Sequence, residues 1–337
     1  MVISQSQMKL TCDRSKADPL FIYYCFKSPQ ILDYIQRNVI STGVPHINLT
    51  ILKQTPLLLP PLDEQKAIAH ILGTLDDKIE LNQQINHTLE SIARALFKSW
   101  FIDFDPVRAK LDGRQPAGMD AETAALFPAE FEDGGAIGQI PKGWKVGMME
   151  DEFKITMGQS PPGSTYNQEA DGLPFYQGCT DFGFRYPSIR VYCNAPSRFA
   201  DSGDTLISVR APVGSINMAN ERCCIGRGVA AARHKQGSRS YTYYTMHGLN
   251  EHFARFEAEG TVFGSMNKKG FLSIPCIIPP TVIISAFEQL AFLLDQRIEN
   301  QEHQILTLTS IRDVLLPKLL SGEIRLQDAE AVVEAVT

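Results

Sequence analysis

The chain reads as a mixed α/β protein: two globular units of sheet and helix, the first incomplete, each leading into a long helix of coiled-coil phase. Three observations predict this class. An apolar run stopped by a proline pair and followed at once by a helix-like pattern occurs twice, as "LLLPPLDEQKAIAHILGTLDDKIELNQQ" from Leu57 and "CIIPPTVIISAFEQLAFLLDQRIENQEH" from Cys276. Both helical stretches carry apolar residues four and three apart. The texture between them is one of short apolar runs punctuated by Gly and Pro, the mark of a compact mixed sheet with long loops.

Superposing Pro60-Pro61 on Pro279-Pro280 sets an offset of 219, and the offset holds without gaps. Tyr24 falls on Tyr243, Thr42 on Thr261, Asn48 on Asn267, Asp76 on Asp295 and Leu96 on Leu315. Self-similarity at so long a period means two whole domains rather than a solenoid. Residue 1 falls on residue 220, so the first copy has no counterpart to 141–219. A half-domain without its first strands would leave apolar surface and strand edges unpaired. The expectation is a truncated product or fragment, or a chain that needs a complementing piece.

In the first long helix the seam runs through Ile68, Leu72, Leu75, Ile79, Asn82, Asn86, Leu89, Ala93 and Leu96. In the second it runs through Phe287, Ala291, Leu294, Ile298, Gln301, Ile305, Leu308, Arg312 and Leu315. A 4-3 alternation keeps one face toward a partner helix, and the polar seam positions Asn82 and Gln301 would set register at some cost in stability. Pro60-Pro61 ends the preceding run, with Asp63 as the expected N-cap. A helix of about 40 residues spans on the order of 60 Å. Two such helices, pairing with each other, would hold the two units a fixed distance apart.

Residues 103–140 are rich in Asp, Gly, Pro and Ala and hold eight acidic against three basic residues, so they read as a linker with one short helix near Ala121–Leu126. Asp103 and Asp105 follow directly on a helix end with Pro106 behind, which favours capping and turn roles over a metal or acid–base role. "YTYYTMHGLNEHFARF" reads as a helix, and "GSMNKKGFLSIPCIIPP" as a loop into a last strand.

With 337 residues and 44% hydrophobic content, the chain can fill real cores. The seven cysteines show no CxxC pair and no zinc-like spacing, which suits reduced thiols and a cytoplasmic setting. No run approaches a membrane span, and the first ten residues lack the pattern of a signal peptide. The net charge of −6 hides an asymmetry, since residues 141–280 sum to +3 and the remainder to −9. Nine basic residues lie within 185–239 (Arg185, Arg190, Arg198, Arg210, Arg222, Arg227, Arg233, Lys235, Arg239) against three acidic ones. Such a region either meets phosphate or is a solvated basic face.

Several chemistries are excluded by their missing motifs. A DNA adenine methyltransferase needs a Gly-rich cofactor loop and an [N/D]PP[Y/F] element, but the proline pairs here sit in "LLPPL" and "IIPPT". A translocase needs a P-loop, and no GxxxxGK[ST] occurs. No catalytic residue, metal site or cofactor is therefore assigned.

The stretches "LLLPPLDEQKAIAHILGTLDDKIELNQQINHTLESIARALFKSWFIDFDPVRAK" and "LSIPCIIPPTVIISAFEQLAFLLDQRIENQEHQILTLTSIRDVLLPKLLSGEIRL" strongly resemble the conserved regions of type I restriction–modification specificity subunits. The opening "IPKGWKVGMMEDEFKITMGQSPPGSTYN" and the closing "SMNKKGFLSIPCIIPP" resemble the two ends of such a subunit's target-recognition domain. The resemblance covers nearly the whole chain. It implies two target-recognition domains, each reading half of a bipartite double-stranded DNA target, separated by an antiparallel pair of helices. Those helices would dock two modification (methyltransferase) subunits, the assembly would recruit restriction subunits, and the specificity subunit itself would be non-catalytic. The alternative is a truncated half-subunit or relic that serves only as a coiled-coil scaffold for modification subunits. An autonomous methyltransferase would need a cofactor site that the motifs do not supply.

The implied organisation is the end of a truncated first recognition domain at 1–61, a central conserved helix at 62–102 and a linker at 103–140. A complete second recognition domain at 141–280, a C-terminal conserved helix at 281–325 and a tail at 326–337 follow. DNA contacts are expected from polar and basic side chains on the loops of the second domain. The candidates are Gln159, Ser160 and Thr165; Gln177 and Asp181; Arg210, Ser215 and Asn217; Arg222 and Arg227; and Asn267, Lys268 and Lys269. Lysines of this kind neutralise phosphates, whereas Arg, Gln and Asn can pair bidentately with base edges. Each of them could equally serve a solvated loop or stabilise a turn.

Overall fold

The structure, a computed structural model, describes residues 8–39, 47–258 and 265–337. It divides into two compact units, the first of residues 1–86 with 300–337 and the second of 87–299. Of the paired positions Thr42 and Thr261, both lie outside the described residues.

The chain opens with α1 (Pro19–Lys27), α2 (Pro29–Asn38) and α3 (Leu49–Gln54), followed by the long α4 (Leu62–Phe101). Next come α5 (Asp105–Leu111), α6 (Ala121–Ala125), β1 (Phe131–Asp133), β2 (Gln139–Pro141), β3 (Lys145–Met148) and α7 (Met149–Glu152). The strands β4 (Phe153–Met157), β5 (Tyr166–Asn167), β6 (Leu173–Tyr176), β7 (Tyr192–Cys193) and β8 (Phe199–Ala200) lead to β9 (Thr205–Ser208), β10 (Ile216–Met218), β11 (Cys223–Ile225) and β12 (Val229–His234). The chain closes with α8 (Arg239–Gly248), α9 (Asn250–Ala258), α10 (Lys268–Leu272), β13 (Pro275–Ile278), α11 (Thr281–Ser321) and α12 (Leu326–Glu334).

The 219-residue offset carries α1 onto α8, α2 onto α9, α3 onto α10 and α4 onto α11. Even a cap is repeated. Asn48 Oδ1 accepts from the Ile51 N–H at 2.9 Å ahead of α3, and Asn267 Oδ1 accepts from the Gly270 N–H at 2.8 Å ahead of α10. One element breaks the correspondence. In the second unit β13 pairs antiparallel with β3, Ile277 opposite Val146. Its counterpart, Pro56–Leu59, forms no strand, and Leu58 and Leu59 stand exposed. A strand needs a neighbour for its backbone groups, and among its described residues the first unit holds no strand at all.

In the first unit, α1 and the early turns of α4 pack with the end of α11 and with α12 around Phe21, Tyr24, Ile68, Leu72, Leu75, Ile79, Leu308, Leu315, Ala329 and Val333. The long helices run antiparallel here, since Asp76 meets Arg312 and Asn86 meets Glu302. Asn82 donates to Gln304 at 2.9 Å and accepts from Gln301 at 3.3 Å, so the polar seam positions satisfy one another. Gln65 of "LPPLDEQ" is almost fully buried and ties three backbone groups together, donating to Lys16 O and Pro60 O and accepting from Asp18 N–H. Asp63 lies inside the first turn rather than at the cap, because the helix begins at Leu62 with Pro61 O accepting its first bond. Residues 326–337, read as a tail, hold α12 with Ala329 and Val333 buried.

In the second unit a four-stranded antiparallel sheet, ordered β10-β9-β12-β4, lies between two apolar layers. Strand periodicity sorts its side chains. Ile207, Ala230 and Ala232 face the aromatic cluster of the helices, while Leu206, Val229 and Ala231 face Tyr176, Ala200 and Ile225. The last three belong to or adjoin a five-stranded mixed sheet, ordered β5-β7-β6-β11-β8, in which β6 and β11 are parallel. The aromatic residues of "ALFKSWFIDF" build the other layer. Phe97, Trp100, Phe101 and Phe104 pack with Trp144, Tyr241 and Phe287. Of the remaining seam positions, Phe287 and Ile298 are buried and Leu89, Leu96 and Leu294 partly so.

The segment 103–140 differs from a free linker. Phe104, Val107, Ala109, Ala124 and Phe127 are buried, Phe127 meets Trp100 edge-on at 5.1 Å, and Lys110 donates to the carbonyls of Ala124 and Phe127. Its Asp/Gly/Pro content forms the turns, and a handful of apolar residues dock it onto the core.

Candidate nucleic-acid interface

One cleft of the second unit, about 440 Å³, gathers residues from four stretches: Ser160; Tyr166; Phe175, Gln177 and Asp181; Arg190 and Val191; and Arg227. Its position follows from the sheet. Loops leaving the ends of β4, β6 and β11 meet there, and close backbone approach is allowed by Gly158, Gly226 and Gly228, where a Cβ would stand under 3 Å from neighbouring atoms. Ser160 Oγ donates to Gln177 Oε1 at 2.9 Å and accepts from the Arg227 N–H at 3.2 Å. The Gln177 side chain is thereby steered while its amide NH₂ remains available. Tyr166 and Phe175 stack at 4.6 Å with 25° between their planes, forming an aromatic wall, and burial raises the Tyr166 phenol above its ordinary value. At the rim Arg190 grips Asp181 bidentately, and that hydrogen-bonded pair raises the guanidinium further above its ordinary value.

A second concavity, about 380 Å³, lies over β4, β8 and β12 and is lined by Lys154, Arg198, Arg222 and Arg233 against Asp201 and Asp204. Arg233 is committed to both carboxylates, whose hydrogen bonds hold it well above the ordinary arginine value. Arg222 lies over the Phe199 ring at 4.7 Å. Four cations against two carboxylates leave a positive surface suited to a phosphate backbone.

The thirteen expected contact residues do not form one site. Ser160, Gln177, Asp181 and Arg227 converge in the cleft. Gln159 is exposed beside it, with its carbonyl accepting from Ser197. Arg222 belongs to the basic concavity. Lys268 and Lys269 are exposed on α10, and Arg210 is exposed with a backbone bridge to Ser265. The other four take part in bonds within the fold. Asn217 is fully buried and donates to Gly183 O at 3.0 Å. Thr165 turns inward onto Pro162 O at 2.7 Å, the Ser215 backbone is bound by Ser208, and Asn267 is the cap of α10. Sequence reasoning missed Tyr166, Phe175, Arg190 and Arg198. The two arginines stood in the basic run, but nothing local separates them from Arg233, which the fold consumes internally.

A family model described as the type I restriction modification DNA specificity domain matches residues 1–91. The type I restriction enzyme MjaX specificity subunit of Methanocaldococcus jannaschii is 32% identical over 323 residues, covering 94% of this chain and 70% of that one. The HindI specificity subunit of Haemophilus influenzae is 27% identical, covering 96% and 81%. The crystal structure of a type I restriction-modification S subunit from M. genitalium superposes with a TM-score of 0.57 at 18% identity, covering 91% of this chain and 74% of that chain, and shares the fold. Similarity of this extent places the chain in the family of type I restriction enzyme specificity subunits, the DNA-recognition components of those systems.

Proposed function

We propose that the second unit reads one part of a double-stranded DNA target through the cleft around Gln177 and Arg190, while the basic concavity around Lys154, Arg198 and Arg222 takes the phosphate backbone. The observation that carries this reading is the convergence of steered polar side chains and an aromatic wall on one exposed cleft beside a positive surface. The chain acts within a complex that includes modification and restriction subunits, and the antiparallel helices are the docking ground for two modification subunits. The target is bipartite, and the second unit serves one part of it.

The test is to co-express the chain with its modification subunits and map methylated sites genome-wide. A single recurrent motif, together with binding that weakens steeply between 50 and 200 mM salt, as phosphate neutralisation does by roughly 10³-fold or more for six contacts, is the expected result. Stable co-purification without sequence-dependent methylation would replace this reading by that of a helical scaffold.

A further inference from the structure

We propose that Arg190 reads a guanine, held in place for it by Asp181. The inference rests on the cleft being the DNA-reading site and deepens that assignment to one base.

The loop between β6 and β7 is clamped at two points. Asp181 O accepts the Ser188 N–H at 2.8 Å, closing the turn. Below it, Arg185 is fully buried, bonded to Asp295 at 2.7 Å and to the Tyr244 hydroxyl at 3.1 Å. On this fixed base, Asp181 Oδ1 accepts from Arg190 Nε at 2.7 Å and Oδ2 from Nη2 at 3.1 Å. The carboxylate is 10% exposed and the Arg190 side chain 60% exposed, so the carboxylate is shielded behind an arginine that faces outward. Asp181 occupies the Nε edge of the guanidinium. The opposite edge, formed by Nη1 and the second N–H of Nη2, keeps two parallel donors, which match the N7 and O6 acceptors on the major-groove face of guanine.

A base edge suits this arginine better than a phosphate. An arginine already immobilised loses less rotamer freedom on binding, an advantage at a site that must discriminate and of little use at one that only neutralises charge. The adjacent carboxylate also offsets the cation's charge and repels a phosphate, whereas a neutral base edge meets no such penalty. Three other arginines of the second unit differ: Arg233 spends its fork on Asp201 and Asp204, Arg222 lies over Phe199, and Arg185 is inaccessible.

The experiment uses the complex with its modification subunits and a duplex carrying the mapped motif, with each guanine of the second unit's half-site replaced in turn by 7-deazaguanine or inosine. The expected result is one guanine at which 7-deazaguanine, which lacks N7, weakens binding roughly 10- to 100-fold. Inosine, which keeps N7 and O6, is tolerated there. At that position, and no other, Arg190→Ala and Arg190→Lys lose discrimination, while Asp181→Asn reduces it. The modified-base arm uses unaltered protein, so misfolding of a variant cannot decide the outcome. Uniform loss of affinity on Arg190→Ala, with discrimination intact and the salt slope reduced by about one, would identify a phosphate contact and overturn the proposal. A half-site without any N7-dependent guanine would overturn it too. An unaltered complex that binds no sequence selectively would instead overturn the assignment of the cleft itself.

Discussion

Asp76 and Asp295 stand 219 residues apart and accept the same two kinds of hydrogen bond from different sources. Asp76 takes a tyrosine hydroxyl, Tyr24 at 2.9 Å, and an arginine, Arg312 at 2.7 Å. Asp295 takes the Tyr244 hydroxyl at 2.8 Å and Arg185 at 2.7 Å. The arginines are not related by the repeat. Arg312 comes from the facing long helix, where its counterpart in the first copy is the buried Ala93, and Arg185 comes from the loop between β6 and β7. An aspartate conserved between the copies thus keeps its cation by recruiting it from whichever element is at hand.

The two aspartates should respond differently to removal. Arg185 is fully buried, whereas Arg312 is 17% exposed and also bonds Asp313. Asp295→Ala should destabilise the second unit by about 3–5 kcal/mol, because it leaves a buried guanidinium with the Tyr244 hydroxyl and, at 3.6 Å, the Glu90 carboxylate in place of its close ion pair. Asp76→Ala should cost about 1 kcal/mol. Denaturant midpoints with unchanged slopes would measure both, and equal losses would refute the distinction. The pair Arg185→Met with Asp295→Leu should recover most of the stability lost by either single change.

The polar seam invites a second test. Asn82 and Gln301 are buried against each other. Replacing both by leucine should raise the thermal midpoint of the first unit, since two desolvated amides give way to apolar packing. Asn82→Leu alone should lower the midpoint, destabilising the unit by about 1–2 kcal/mol, since Gln301 and Gln304 both lose that partner. Thermal melts, with light scattering to follow self-association, would show whether the amides serve register rather than stability. A double variant less stable than the parent would argue against this.

The sequence made the architecture legible because its signals were long-range and redundant. Seam residues such as Leu72 and Leu308 recur at fixed phase over dozens of residues, in two copies at one offset. Misreadings came where meaning depends on distant partners. Composition marked 103–140 as a linker, yet Phe104 and Phe127 dock against Trp144 and Trp100, a contact no local pattern encodes. Asn217 and Asn267 share the residue type of base-reading asparagines, but one is sealed beneath Gly183 and the other caps a helix. Arg190 went unchosen because its distinction lies in Asp181, which becomes its partner only when the loop closes.

His247 gives the second unit a pH dependence with a definite sign. Burial, with the positive charges of Arg94 and Arg185 nearby, pushes its pKa down to about 3, and its ring packs on Tyr243 at 4.6 Å. A histidine whose folded pKa lies below its unfolded value of about 6.5 stabilises the neutral fold, and that stability declines as pH falls below 6.5. The loss should approach 1.4 kcal/mol per pH unit between about pH 6 and pH 4. In His247→Gln this component should vanish, flattening the profile of denaturant midpoint against pH over that interval. An unchanged slope in the variant would show that carboxylates alone set the acid response.

Gly226 ties cleft geometry to discrimination. A Cβ there would stand 2.5 Å from Gln177 Oε1, 2.9 Å from Gln177 Cα and 3.0 Å from the Phe175 ring. The side-chain amide can swing away, but the Cα and the ring cannot move freely, so Gly226→Ala should cost about 1–3 kcal/mol of stability and displace the Gln177 amide from Ser160. At Gly158 the obstruction is wholly backbone, with the carbonyl oxygen of Gly226 at 2.1 Å, and Gly158→Ala should be the more damaging change. In the folded fraction, Gly226→Ala should relax sequence discrimination at one position while leaving the salt dependence of binding intact, because no cation has moved. Methylation-motif mapping alongside salt titration separates the two effects. Unaltered discrimination would place Gln177 outside the reading surface and leave Gly226 with a purely packing role.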